Sequence, residues 1–198
     1  GDAAVNQGGF HEGLNMAAVW QLPCIYVVEN NEYGMGTAFD RVSKTEMSTK
    51  SAPHGVPAHV VDGQDVLATY AFFRDLADKV REGAGPQYVD LQTYRFHGHS
   101  MSDPVSGTYR SVEEVEQAKD ERDPIAILGA TLKGAGVLSQ EAFEQMDVEA
   151  RQIASDAAEF ADASPLPAPE ALYKNVWAEI NPNGRLFFDG RPEQGEAS

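Results

Sequence analysis

Basic residues and cysteine are what this sequence has least of. Lys and Arg together number 15 against 31 Asp and Glu, a formal net charge of -16 over 198 residues. A chain so short of cations lacks the basic face that binds nucleic acid. It also lacks the polybasic patch that seeks an anionic membrane surface. The acidity itself speaks to a solvated surface more than to a role. There is one cysteine, Cys24. No disulfide can close within the chain, which predicts a reducing compartment. Long hydrophobic runs are missing too: the longest, around CIYVV, is far short of the ~20 residues a bilayer-spanning helix needs. No stretch reads as a signal peptide. The first residue is Gly1, not methionine, so a processed or partial product is expected.

Hydrophobic residues make up 42% of the chain, enough for a buried core and the mark of a globular protein. The length fits one domain or a large fragment of one. In GGFHEGLNMAAVW, Phe10, Leu14 and Ala17 recur at helical spacing. LPCIYVVEN follows, a short β-branched run broken off by Pro23, and reads as a buried strand. A loop rich in Ser, Thr, Lys and Pro is expected from about Gly34 to Pro57. HVVDG reads as a strand, DVLATYAFFRDLADKVREG as a helix closed by Gly83, and PQYVDLQTYRF as another strand. Strands alternating with helices predict an α/β fold, a parallel sheet with helices on both faces. A Gly-Asp turn leading into a helix should itself follow a strand, so the sheet is expected to be incomplete at its N-terminus.

The second half predicts a helical region. Ser111 and Glu114 form a capping box. Asp123-Pro124 supplies a cap and a first-turn proline. Ser139 opens a long helix on which Phe143, Met146, Ala150, Ile153, Ala157 and Phe160 make a narrow apolar stripe. Such a stripe packs on another helix, in this chain or in a partner. Pro165, Pro167 and Pro169 end the region. The expected division is an α/β part over residues 1–110 with a loop at 95–110, a helical part over 111–180, and a tail over 181–198.

Two places carry candidate chemistry. In a parallel sheet, ligands bind outside the carboxyl ends of the strands. Asp2, after an expected strand, and Asn31, after CIYVVE, lie at two such ends. A carboxylate with an amide oxygen suits Mg²⁺, completed by a phosphate, and a helix starting after Ala3-Ala4 would aim N–H groups at that phosphate. Gly-Asp and Asn-Asn pairs also mark ordinary turns, and the residues alone leave that open. The second place is RFHGHSMSDP. There Arg95 can pair with a phosphate and a histidine can move protons. The same stretch also suits a plain solvated loop. A His97-x-His99 zinc site lacks further ligands, since neither His11 nor His54 is placed to complete it.

GDAAVNQGG with ENNEYGMGT resembles the thiamine-diphosphate motif, which begins Gly-Asp-Gly and closes on an asparagine pair. NMAAVWQLPCIYVVENN, LQTYRFHGHSMSDP, the following YRS-EE and the DPI helix start closely resemble the α subunits of pyruvate dehydrogenase first components, in the thiamine-diphosphate-dependent 2-oxo acid dehydrogenase family. The resemblance runs from Gly1 to about Asp162. It implies a thiamine-diphosphate-binding fold lacking its N-terminal part. It also implies a cofactor shared between α and β subunits, with the diphosphate held through Mg²⁺. Carried onto this chain, Asp2, the Asn31 side-chain oxygen and the Tyr33 carbonyl would be metal ligands. The Ala3 and Ala4 backbone would meet the diphosphate, with Asn6 supporting the turn. Arg95 would steady the diphosphate from a mobile loop. His99, more than His97, would serve at the reaction centre. The implied reaction is decarboxylation of pyruvate and transfer of the two-carbon unit to a lipoyl domain of the acyltransferase component. The implied assembly is α2β2, in bacterial cytoplasm or, in a eukaryote, the mitochondrial matrix. The glutamate that activates the cofactor is expected on β. Ser100, Ser102 and the Ser106–Thr108 stretch fall where animal relatives are phosphorylated. A phosphate at Ser100 would place negative charge beside an anionic site; plain hydroxyl hydrogen bonding is the alternative.

Three departures stand against the family pattern. Ala3 replaces the second motif glycine, where backbone approaches ligand closely. DPVSGTYR is one residue longer than the pattern. The N-terminal half of the expected subunit, with further cofactor contacts, is missing, so this stretch by itself is not assured of binding the cofactor. HGHSMSDP favours the pyruvate type over the branched-chain 2-oxo acid type, while acetoin dehydrogenase fits nearly as well. A non-catalytic assembly module is the alternative from another class.

Overall fold

The computed structural model describes residues 1–104 and 107–173. Ser106, the end of the expected helical part and the tail over 181–198 lie outside the described residues. The chain divides into two compact units, Gly1–Phe143 and Glu144–Ser198, so the helical part expected over 111–180 is shared between them.

The first unit is built on a parallel sheet of β1 (Ile25–Asn30), β4 (Ala58–Asp62) and β5 (Gln87–Gln92), in the order β1-β5-β4. The last strand in sequence is therefore the central one, and Gln87–Asp90 are buried on both faces. Alternation along β5 sends Tyr88 to one side and Val89 to the other. On the Tyr88 side lies α1 (Gly8–Trp20), which packs Leu14 with Val5, Val28, Met47 and Val56. On the Val89 side, Val61 and Leu76 form a second cluster with Phe72, Phe73 and Ile25. Leu76 belongs to α2 (Val66–Arg81). Helices thus cover both faces, as expected. Asp65 caps α2 by accepting from the Ala68 N–H at 2.9 Å, while Lys79 and Arg81 in its last turn meet the negative end of the helix.

The stretch from Gly34 to Pro57 holds more structure than the loop expected there. It contains the short antiparallel ribbon β2 (Tyr33–Gly34) with β3 (Thr37–Ala38), then single 3-10 turns at Phe39–Arg41, Met47–Thr49 and Ala52–His54. Met47 and Val56 enter the core, and the Met47 carbonyl accepts from the Tyr88 hydroxyl at 3.2 Å. Its Ser/Thr/Lys/Pro composition hides two apolar anchors among turn formers.

Among the described residues three α-helices follow: α3 (Val112–Arg122), α4 (Pro124–Gly134) and α5 (Gln140–Ala163). Ser111 caps α3 through the Glu114 N–H at 3.0 Å. The reciprocal half of the capping box is diverted, because the Glu114 carboxylate accepts from the Tyr94 hydroxyl at 2.8 Å. Asp123 caps α4, accepting from Ile125 N–H at 2.8 Å. Ser139 caps α5 through the Ala142 N–H at 3.1 Å. On α5, Met146, Ile153 and Phe160 of the predicted stripe are exposed.

Candidate cofactor and metal site

β1 and β5 run parallel in register, so Asn30 and Gln92 end side by side. Just beyond, the Thr93 N–H and hydroxyl both donate to the Asn30 carbonyl, at 2.8 and 3.3 Å. The chain then turns through two overlapping Asx turns. Asn30 Oδ1 accepts the Glu32 N–H and Asn31 Oδ1 accepts the Tyr33 N–H, each at 3.2 Å. Glu32 has φ 66° and Met35 φ 55°. Such left-handed residues cost ~1–2 kcal/mol each unless their surroundings hold them. What holds them starts in the sheet: the buried Asn30 amide donates to Asp90 Oδ1 at 2.9 Å. Burial pushes the Asp90 carboxyl above its usual value, and the Asn30 amide pulls it part of the way back.

Residues Asp2–Asn6 form a 3-10 turn that packs against the end of β1 and against β2. The helix expected directly after Ala4 begins only at Gly8, and the Ala4 N–H already donates to the Gly1 carbonyl at 3.1 Å. Of the two alanines, Ala3 therefore has the freer amide, since the closing bonds of a 3-10 turn begin at Ala4. Asp2 is only 2% exposed. Its Oδ2 is buried with no hydrogen-bond partner among the described residues. An unpaired buried carboxylate oxygen costs at least ~1–3 kcal/mol, and a hard cation is the partner its chemistry calls for. The Ala3 methyl, the departure from the family pattern, fits because of Gly34. A Cβ built on Gly34 would fall 2.6 Å from the Ala3 Cβ. Asn6 does not brace this turn; its amide donates to the Val42 carbonyl at 3.4 Å.

The loop after β5 closes over the same turn. Arg95 donates to the Tyr33 carbonyl at 3.4 Å, to the Met35 carbonyl at 2.9 Å and to the Tyr109 hydroxyl at 2.9 Å, while its Nε reaches the His97 carbonyl at 3.2 Å. It ties loop to turn here, and the Tyr33 carbonyl keeps a second lone pair for a cation. The Tyr109 hydroxyl donates onward to Asp103 Oδ2 at 2.6 Å, which also accepts the His99 N–H at 2.7 Å. The Tyr109 hydroxyl first, then the His99 amide, hold the Asp103 carboxyl below its usual value. Gly98 approaches the Asp103 carbonyl too closely for any Cβ to fit. Ser100 and Ser102 are exposed and share a hydroxyl contact of 3.1 Å.

Beneath the loop lies Arg110, 3% exposed. It donates to the carbonyls of Arg95 and His97, and its guanidinium lies over the rings of Tyr109, Tyr94 and Tyr33 at 5.3, 5.6 and 5.8 Å. Such cation–π contacts strengthen when desolvated. Tyr94, bonded to Glu114, has its hydroxyl pushed up to about 12 by burial and by that carboxylate.

The fold therefore brings Asp2, Ala3, Asn31, Tyr33 and Arg95 into one continuous contact set. It does not hydrogen-bond the His99 imidazole to any of them among the described residues; only the His99 backbone is tied down. No group of three or more His, Cys, Asp and Glu side chains able to hold a metal occurs among the described residues, so none there gathers further ligands around His97 and His99. His11 and His54 instead pair with each other at 3.2 Å. The oxygen set of one carboxylate, one amide and one carbonyl is of a different kind, and the orphaned Asp2 oxygen fits it. Asn30, Asp90, Asp103, Tyr109 and Arg110 went unassigned in the sequence. The signal for the last two was their place in the YRS-EE stretch, directly before the Ser111 cap.

Comparison with known proteins follows the same residues. The family model described as "Dehydrogenase E1 component" matches residues 1–170. The pyruvate dehydrogenase E1 component subunit alpha of Rhizobium meliloti is 44% identical over 177 residues, 89% of this chain and 50% of the relative. That of Zymomonas mobilis is 46% identical over 177 residues, 89% of this chain and 49% of the relative. The human somatic, mitochondrial form is 42% identical over 182 residues, 92% of this chain and 46% of the relative. The chain spans about half the length of the curated relatives it matches.

Proposed function

We propose, for a chain that belongs to the dehydrogenase E1 component family, that it is the α-subunit portion of a pyruvate dehydrogenase first component. The reaction is oxidative decarboxylation of pyruvate, with the acetyl group passed to lipoyl groups of the second component. The names of the three relatives support pyruvate over a branched-chain 2-oxo acid or acetoin. The observation that carries the cofactor reading is the buried Asp2 oxygen, without a hydrogen-bond partner among the described residues, in a turn packed against the one that bears Asn31 and Tyr33. No helix among the described residues is long and apolar enough to cross a membrane. The proposed setting is bacterial cytoplasm or mitochondrial matrix.

In this reading Asp2 Oδ2, Asn31 Oδ1 and the Tyr33 carbonyl would hold Mg²⁺, and the exposed Ala3–Ala4 stretch would meet the diphosphate of thiamine diphosphate. When bound, the thiazolium supplies an electron sink for the loss of CO₂. The work of this chain is positional. Asp2 would offset one of the two charges of the metal and, with the two neutral oxygens of Asn31 and Tyr33, would orient it. Arg95 clamps the loop to the turn and offers a cation at the phosphate side. His99, carried at the loop's tip, is proposed to shuttle a proton or to meet the incoming lipoyl arm. The partner is a β subunit in an α2β2 assembly.

The full-length subunit, co-purified with its β partner and supplied with Mg²⁺ and thiamine diphosphate, tests this. Reduction of an artificial acceptor is compared for pyruvate, 3-methyl-2-oxobutanoate and acetoin. Turnover with pyruvate that is lost in Asp2→Asn, together with lost Mg²⁺ binding by calorimetry, is the expected result. Mg²⁺ binding that survives in Asp2→Asn overturns the ligand assignment. Preference for either other substrate overturns the specificity.

A further inference from the structure

Asp90 stands where the sheet has no packing use for it. It lies in the central strand, 3% exposed, opposite Val28 on one neighbour and Val60 on the other. An apolar residue would suit that position at less desolvation cost. Its Oδ1 instead accepts the Asn30 amide at 2.9 Å. The other end of that amide, Asn30 Oδ1, accepts the Glu32 N–H at 3.2 Å. One side chain thus links the middle of the sheet to the left-handed Glu32, one residue beyond Asn31 and one before Tyr33. The Asn30 carbonyl is fixed separately by Thr93, so the amide bond to Asp90 sets the side chain rather than the strand end.

We propose that Asp90 is a positioning residue for the metal-binding turn, holding through Asn30 the conformation in which Asn31 Oδ1 and the Tyr33 carbonyl face a common cation. The inference rests on the functional reading above, since it supplies the cation. It adds a residue outside the ligand set, one strand away, whose effect on the site passes through a single amide.

The test uses the full-length subunit with its β partner and two variants. Asp90→Val removes the acceptor and suits the strand; Asp90→Asn keeps an oxygen acceptor. Amide hydrogen exchange in the cofactor-free protein and calorimetric Mg²⁺ titration in the presence of thiamine diphosphate are the readouts. The expected result is faster exchange confined to residues 31–35 in Asp90→Val and a Mg²⁺ dissociation constant raised about tenfold or more, as for other outer partners of metal ligands. The melting temperature does not fall, and Asp90→Asn stays near wild type in both readouts. A merely structural role would lower stability without a change confined to this turn. Unchanged exchange at 31–35 with unchanged Mg²⁺ affinity in Asp90→Val overturns the proposal. If Asp90→Val does not fold, Asp90→Ala removes the same acceptor and is read the same way. A wild-type protein that binds no Mg²⁺ with thiamine diphosphate overturns the functional reading instead, while the exchange data still decide whether Asp90 holds the turn.

Discussion

Asp2 and Val5 are anchored by burial, 2% and 1% exposed, and their turn leans on strands of the core. His99, Ser100 and Met101 stand in solvent, and their loop is tied back by Asp103, Tyr109 and Arg95. The metal-side turn thus borrows the stability of the whole domain. Apart from the buried Arg110 at its base, the loop is held by a few partly hydrated hydrogen bonds, each worth ~0.5–1.5 kcal/mol net. Local opening free energies follow such differences. On the proposed function, a divalent cation would need oxygens fixed before it arrives, whereas a loop that admits substrate would have to open, and this contrast in anchoring fits both.

The largest break in this contrast is expected at Asp2. Asp2→Asn should abolish measurable Mg²⁺ binding, exceeding the roughly 100-fold that removal of an outer partner can cost. The cofactor-free protein should melt no lower, because an unpaired buried charge has been removed; calorimetry and thermal melts read the two signs separately. Next comes Gly34→Ala, whose Cβ would meet the Ala3 Cβ at 2.6 Å. Overpacking there should destabilise by about 1–3 kcal/mol. Adding Ala3→Gly should restore most of it, a coupling that denaturant melts of the double-mutant cycle detect. Without recovery in the double variant, Gly34 is not what accommodates Ala3.

Tyr109→Phe takes one hydroxyl from between Arg95 and Asp103. The expected change is about 1 kcal/mol of loop stability, seen as faster amide exchange over residues 95–104 with the global melt unmoved. Slower exchange, or a change spread over the sheet, would contradict the separation of loop from core. The smallest effect is with pH. Asp103 is held below its ordinary value, so its contribution is present above the unfolded value of about 3.9 and is lost as pH falls through the folded one. Protection of the His99 amide should be constant near neutrality and fall off below about pH 4, earlier than protection of Val89 in the central strand.

Much of this was legible before any coordinates. The period of Phe10, Leu14 and Ala17 marked α1, the β-branched run marked β1, and Ser111, Asp123 and Ser139 marked the helix starts, because caps and periodicity are local physics. The motif pair that holds Asp2 and Asn31 was legible as residue types at strand ends. Less was legible where distant segments meet. Met47 and Val56 sit among turn formers, and only packing shows that they belong to the core. The first alanine of GDAA, Ala3, looked like a defect until Gly34 was seen against it.

The sequence by itself determined the main helices and strands, the charge class, the absence of an internal disulfide and the family, since each of these depends on neighbours along the chain or on residue identity. The tertiary structure alone decided that β5 lies between β1 and β4, which brings Asp90 beside Asn30. It also decided that Arg95 bonds the Tyr33 and Met35 carbonyls, some sixty residues away in sequence. Such pairings carry no local signature, because they arise from the order in which strands are laid side by side and from the polar groups that this order leaves to be satisfied.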